Sequence, residues 1–283
     1  MKQYLQKAMN IKTAIAISTL AFAAAILAVY MSINNAAQIG AATTPVTIQQ
    51  LVDADKKAFD AYVKDQIDGY VAAQKQKKID RKYDAYSDAL ERTRTGKHIY
   101  GEEDARFTLV EFSDLECPFC KRFHSVPKEV VDASSGRVNW EWKHLPLPSH
   151  NPVASVEAQA SECVAEIKGN RAFWVYIHQV FDETKGNGQG AGDLINLASN
   201  IGVDPKEFAD CMKEGRHSEK IAKDLQLATQ MNVNSTPVTF VIDNHTGKQV
   251  MLRGMRKPES IATTIQRLLK EQQNEKDLAA MKE

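Results

Sequence analysis

Cys117 and Cys120, separated only by Pro118 and Phe119, are the residues of this chain best suited to covalent chemistry. A thiolate attacks disulfides, and a second thiol one helical turn further on can close a ring and release the substrate. The apolar run at 107–112 lies just upstream and reads as a buried strand. If a helix starts at Cys117, unpaired backbone N–H groups and the positive end of the helix dipole surround the first sulfur, and both stabilise a thiolate. The spacing therefore predicts Cys117 as an exposed nucleophile and Cys120 as the resolving thiol. Lys121 and Arg122 favour the thiolate, while Asp114 and Glu116 oppose it.

Three further features bear on the site. Glu111 sits six residues before Cys117 on an otherwise apolar strand. Either it is partly buried, with a raised pKa that lets it relay a proton to or from Cys120, or it faces solvent at the sheet edge. Cys163 and Cys211 are the remaining cysteines; they form a structural disulfide between two helices or a second redox pair. Structural zinc sites bring two close-spaced ligand pairs, whereas this chain has one and no histidines at i, i+4. No metal site and no cofactor are predicted. His124 and His150 read as surface or packing residues, and Trp140, Trp142 and Trp174 as core.

The elements that must position these residues follow from pattern. A short strand is predicted at 98–101, a central strand at 107–112, and a helix from Cys117 to about Ala133, bent near Pro127. Residues 137–144 alternate as the next strand. Residues 148–231 are helical, with Val153, Val156, Ala160, Cys163, Val164 and Ile167 on one face, and with a glycine-rich, mobile linker at 184–192. Two strands at 238–243 and 248–254 flank a turn, and Pro258 starts a last helix.

This order resembles the DsbA-like branch of the thioredoxin fold across residues 97–270. The residues that carry the resemblance are Phe112-Ser113-Asp114-Leu115-Glu116-Cys117-Pro118-Phe119-Cys120 and Val233-Asn234-Ser235-Thr236-Pro237-Val238-Thr239-Phe240. His144-Leu145-Pro146-Leu147 and Phe173-Trp174 also match. The fold class implied is α/β, a thioredoxin fold with a helical insertion at about 148–231. The resemblance further implies that Thr236–Pro237 is cis, faces the cysteines and, with Pro118 and Phe119, contacts substrate. Family members carry an acid at the position of Glu111. The pair between the cysteines lacks the histidine of strongly oxidising members, and a threonine precedes the presumed cis proline, as in isomerase or reductase relatives. The implied partners are exported proteins with cysteines and a membrane redox partner that resets the dithiol. The competing reading is a tethered chaperone or assembly factor that uses the fold as a peptide-binding scaffold.

The 283 residues carry a formal net charge of zero, so nothing points to nucleic acid. Residues 14–33 are uncharged and close to the ~20 residues that span a bilayer. Lys2, Lys7 and Lys12 precede them, which places 1–13 in the cytoplasm and the remainder on the periplasmic side of an inner membrane. A cleaved signal is the rival, but its apolar core is usually only roughly 7–15 residues. A spacer is predicted at 34–47 and a helical stalk at 48–95, with Gly69 and the cluster at 74–78 separating two helical stretches. Residues 48–94 serve homo-oligomerisation or pack as a solvated helix on their own domain. Residues 271–283 form a polar tail that frays or extends the last helix.

Overall fold

The computed structural model describes residues 47–281. The segments predicted as tail (1–13) and anchor (14–33), and all but the last residue of the spacer, lie outside the described residues. Among the described residues no helix is long and apolar enough to cross a membrane.

Helix α1 (Ile48–Asp84) runs unbroken through Gly69, where the sequence predicts a separation. One helical glycine costs only about 1 kcal/mol relative to alanine, and the alanine, lysine and glutamine residues that follow are strong helix formers. The helix ends at Asp84, and turns and bends occupy most of the stretch to 95 that was expected to be helical. Two compact units divide the chain after Gly69. In the first, Phe59, Tyr62 and Ile67 are exposed. In the second, the end of α1 is tied down: the Tyr83 hydroxyl donates to the Ile201 carbonyl at 3.1 Å, and Lys82 donates to Gln179.

The second unit is organised by a five-stranded sheet of β1 (Ile99–Tyr100), β2 (Phe107–Ser113), β3 (Val138–His144), β4 (Val238–Asp243) and β5 (Gln249–Arg253), in the order β1-β3-β2-β4-β5. Only β2 and β3 run parallel; α2 (Pro118–Phe123) and α3 (Ser125–Asp132) connect them. The helix after Cys117 breaks at His124, because Pro127 has no N–H to offer the Phe123 carbonyl. The alternation expected at 137–144 is absent: β3 is buried almost throughout, as is β2. Strands inside such a sheet bury both faces. Phe107 and Leu109 enter one core, while Val110 and Phe112 enter the other.

Between β3 and β4 lie a 3-10 turn (Pro148–His150) and helices α4 (Val153–Lys168), α5 (Asn170–Glu183), α6 (Leu194–Ser199), α7 (Pro205–Glu214) and α8 (Ser218–Gln230). A Cys163–Cys211 disulfide ties α4 to α7. Val156 is exposed, against expectation; the buried stripe at the start of α4 passes instead through Ala154, Ala158 and Ser161, whose small side chains permit close helix approach. Helix α9 (Pro258–Ala280) continues through most of the polar tail.

Candidate active site

Antiparallel pairing of β2 with β4 sets Phe112 opposite Val238. The chain leaving β2 and the chain entering β4 therefore meet at one end of the sheet. The first leads to Cys117 and the second contains the cis bond Thr236–Pro237. The Cys117 thiol donates to the Thr236 carbonyl at 3.7 Å, a contact between residues 119 apart in sequence. Cys117 occupies the N-cap of α2 in an extended conformation, with Pro118 at the first helical position, where a missing N–H removes no helical bond. Phe119 is 53 % exposed and stacks under the Arg122 guanidinium, 4.8 Å from its ring centre.

Both sulfurs are free thiols. Cys117, expected to be exposed, retains only 4 % of its surface, because Thr236 and the surrounding core close over it; Cys120 retains none. A sulfur arriving from solvent thus meets Cys117 first. The Cys117 thiol is lowered to about 6, chiefly by the Cys120 thiol that donates to it. Burial opposes this shift, and the Thr236 hydroxyl and the N–H groups of Cys120 and Phe119 add to it. Cys120 is pushed up, first by burial and then by the Cys117 thiolate and Glu111. The neighbouring charges weighed in the sequence are engaged elsewhere. Lys121 donates to the carbonyls of Asp182 and Thr184 at 3.1 and 3.0 Å. Asp114 accepts from the N–H groups of Glu116 and Leu147, both at 2.7 Å, and pairs with His150 at 2.8 Å. Hydrogen bonds and burial, rather than flanking charge, set the two thiols apart.

Glu111 sits on the central strand between Trp142 and Thr239, so the edge-strand reading does not hold. Its side chain shares a face of β2 with Phe107 and Leu109, because strand side chains alternate. That face belongs to the core containing Cys117 and Cys120. Neither carboxyl oxygen has a hydrogen-bond partner among the described residues. Burial pushes Glu111 up to about 8, aided by the Cys117 charge and only partly offset by the nearby Ser113 hydroxyl and Trp140 indole.

The linker at 184–192, expected to be mobile, is bonded along its length to Glu116: the Asn187 N–H donates to the Glu116 carbonyl at 2.7 Å and the Gly190 N–H donates to the Glu116 carboxylate at 3.0 Å. Sequence reading missed Glu116, Glu157 and Thr184 as parts of the site. Their contacts cross tens of residues, and nothing local signals them. His124 is buried among Trp140 and Phe181, and burial lowers it to about 3. Cys163 and Cys211 lie away from these thiols, in the insertion, with Cα atoms 5.9 Å apart. The donor atoms of Cys163, Cys211 and His217 lie within 4.8 Å of one another, but the disulfide occupies both sulfurs.

Residues 93–267 match the family model described as Thioredoxin. The crystal structure of Pseudomonas aeruginosa DsbA2 is similar, with 34 % identity, a TM-score of 0.55, and coverage of 61 % of this chain and 94 % of that one. BdbD from Bacillus subtilis, in its oxidised form, shares 25 % identity at a TM-score of 0.53, covering 64 % of this chain and 97 % of that one. Among curated proteins, the Na(+)/H(+) antiporter NhaA 3 of Salinispora tropica is 33 % identical over 150 residues, 51 % of this chain and 21 % of that protein. NhaA of Herminiimonas arsenicoxydans is 31 % identical over 144 residues, 51 % of this chain and 22 % of that protein. The chain thus spans about a fifth of the length of these curated relatives.

Proposed function

This chain belongs to the thioredoxin family, in its DsbA-like branch of thiol–disulfide oxidoreductases, and on that premise we propose that Cys117 and Cys120 exchange disulfides with exported proteins. The observation that carries the reading is the split between the two thiols: Cys117 lowered to about 6 at the mouth of the site and Cys120 raised behind it. At neutral pH the outer sulfur is the nucleophile and the inner one stays protonated until needed.

In the reducing direction the Cys117 thiolate attacks one sulfur of a substrate disulfide. That S–S bond breaks, the other substrate sulfur leaves as a thiolate, and a mixed disulfide forms. Cys117 then carries no charge, which removes one of the influences holding Glu111 protonated. Glu111 ionises and becomes the base for the Cys120 proton. The Cys120 thiolate attacks the Cys117 sulfur, closing the ring and expelling the second substrate sulfur. Run backwards, the same steps donate a disulfide. The Thr236 carbonyl and the exposed Phe119 flank the reacting sulfur and bind the substrate chain.

The absence of histidine between the cysteines and the threonine before Pro237 favour isomerase or reductase work over strong oxidation. The charge pattern around 14–33 supports an inner-membrane anchor with the catalytic domain periplasmic, facing a membrane redox partner. Phe59, Tyr62, Ile67, Tyr70 and Val71 are exposed at helical spacing, which supports homo-oligomerisation through 48–94. Light scattering on the chain with and without 48–69 tests that pairing. Cys117→Ser is expected to abolish insulin reduction and the refolding of scrambled ribonuclease, and Cys120→Ser to accumulate the mixed disulfide. Full activity in Cys117→Ser would leave the peptide-binding scaffold as the function.

A further inference from the structure

Two pairs of donor side chains converge in the helical insertion, away from the CPFC thiols. On α4, Cys163 and Glu166 stand three residues apart and share one face of the helix. Opposite them, Cys211 lies in the last turns of α7 and His217 caps the start of α8. Gly215 between these two has φ +62°, a left-handed turn that brings the chain back on itself. Both residues consequently reach the same carboxylate oxygen. His217 Nε2 lies 2.8 Å from Glu166 Oε2, and Cys211 Sγ lies 3.8 Å from it. The donor atoms of Cys163, Cys211 and His217 fall within 4.8 Å of one another.

The second Glu166 oxygen is engaged elsewhere. Arg216 Nη1 donates to Oε1 at 2.6 Å, and Arg216 Nε donates to Glu214 at 2.6 Å. Oε2 is thereby left facing His217 and Cys211, the kind of outer support that orients a carboxylate toward a metal. Thiolate, imidazole and carboxylate are the donors zinc takes, four at a time in a tetrahedron. Bonds of about 2.3 Å to sulfur and about 2.1 Å to nitrogen and oxygen set neighbouring donors ~3.3–3.8 Å apart. The Cys211–Glu166 spacing fits, and the His217–Glu166 spacing has to widen by about half an ångström. The two sulfurs stand too close, because they are bonded to each other. Counting cysteines and histidines alone finds one close-spaced ligand pair in this chain. With the carboxylate included, Cys163 with Glu166 and Cys211 with His217 make two. Glu166 and His217 are partly exposed and border a cleft of about 350 Å³, which gives an ion a path to the buried sulfurs.

We propose that the insertion has a second, metal-bound state in which Cys163, Glu166, Cys211 and His217 hold one zinc ion. An external dithiol opens the way to it. Its two thiols pass two electrons and two protons to the Cys163–Cys211 disulfide and become a disulfide themselves. Zinc then displaces both cysteine protons and binds the two thiolates, the neutral Nε2 of His217 and Glu166 Oε2. The metal takes over from the S–S bond as the link between α4 and α7. Neither active-site cysteine takes part, so the inference stands apart from the reading of the CPFC site.

The test uses the full chain carrying Cys117→Ser and Cys120→Ser, which leaves Cys163 and Cys211 as its only cysteines. The chain is reduced with a water-soluble phosphine, freed of it without air, and titrated with Zn²⁺ or Co²⁺. One zinc binds per reduced chain and none per oxidised chain at the same metal concentration. Cobalt gives the visible bands of a tetrahedral ion together with thiolate-to-cobalt charge transfer. Zinc raises the urea midpoint of the reduced chain, because it binds the folded state. Arg216→Gln and Glu166→Gln each weaken zinc about 10–100-fold, and His217→Ala, which deletes a ligand, weakens it by more than that. All three variants retain the disulfide, so their folding is checked in the oxidised form. Zinc binding by the oxidised chain, the absence of tetrahedral cobalt bands, or bands and affinity that persist in His217→Ala overturn the proposal. A reduced chain that unfolds and that zinc does not refold overturns it as well.

Discussion

Glu111 and Glu162 are both buried glutamates in the same domain, yet their environments drive them in opposite directions. Glu111 has no hydrogen-bond partner among the described residues, and burial raises it to about 8. Glu162 accepts from His98 at 2.9 Å and His144 at 3.0 Å and pairs with Lys220 at 2.7 Å. Burial alone would raise it too, but the two histidines outweigh that effect and hold it well below the usual carboxylate range. The first carboxyl stands beside a pair of thiols and is left able to change its protonation. The second stands in the insertion, near the Cys163–Cys211 disulfide, and is locked as a charge. Burial therefore does not decide what an acidic residue does; the donors within reach decide it.

The largest expected effect lies on the locked side. Glu162→Ala strands His98 and Lys220 and is expected to cost about 3–5 kcal/mol in urea unfolding while leaving Cys117 reactivity unchanged. If thiol reactivity collapses while the protein stays folded, the two regions are not separate. Replacing Cys163 and Cys211 together with alanine is expected to cost ~2–4 kcal/mol, again without altering turnover at temperatures where the variant is folded. A loss of turnover under those conditions would mark that pair as redox-active.

On the titratable side, Glu111→Gln is expected to slow resolution of the mixed disulfide about 10²-fold in single-turnover measurements, with its formation unchanged. The same variant has a pH signature. Between 4.5, the ordinary value, and about 8 the native protein holds a proton on Glu111 that the unfolded chain releases. Stability therefore falls as pH rises through that window, and the variant loses that contribution. Cys117 acts with the opposite sign. Its pKa is lowered from 9.0 to about 6, so its contribution is fully present above 9.0 and is lost as pH falls through about 6. The smallest expected effect is Thr236→Val, which withdraws one hydroxyl from the thiolate and raises the Cys117 pKa by roughly one unit, read from thiolate absorbance. No shift would mean that Cys120 and the backbone donors suffice.

Much of this was legible in the chain. The apolar strand, the paired cysteines after it, the Ser-Thr-Pro before β4 and the hairpin are local patterns, and each stands where local pattern placed it. The misreadings share a cause. Residues 137–144 were expected to alternate because their sequence does, but β3 lies between β1 and β2 and buries both faces. The glycines of 184–192 suggested mobility, yet Asn187 and Gly190 among them donate to Glu116, up to 74 residues away. Cys117 suited an exposed helix end, and Thr236, brought from the far side of the insertion, covers it.

Residue type and spacing by themselves determined that two sulfurs stand one helical turn apart after a buried strand, and that a proline opens a later strand. Those are short-range properties, set by backbone geometry and the alternation of side chains. Only the tertiary structure decided which sulfur ionises, which glutamate keeps its proton and which is locked as a charge. Ionisation depends on desolvation and on donors within a few ångströms, and the sheet supplies both by bringing together residues far apart along the chain.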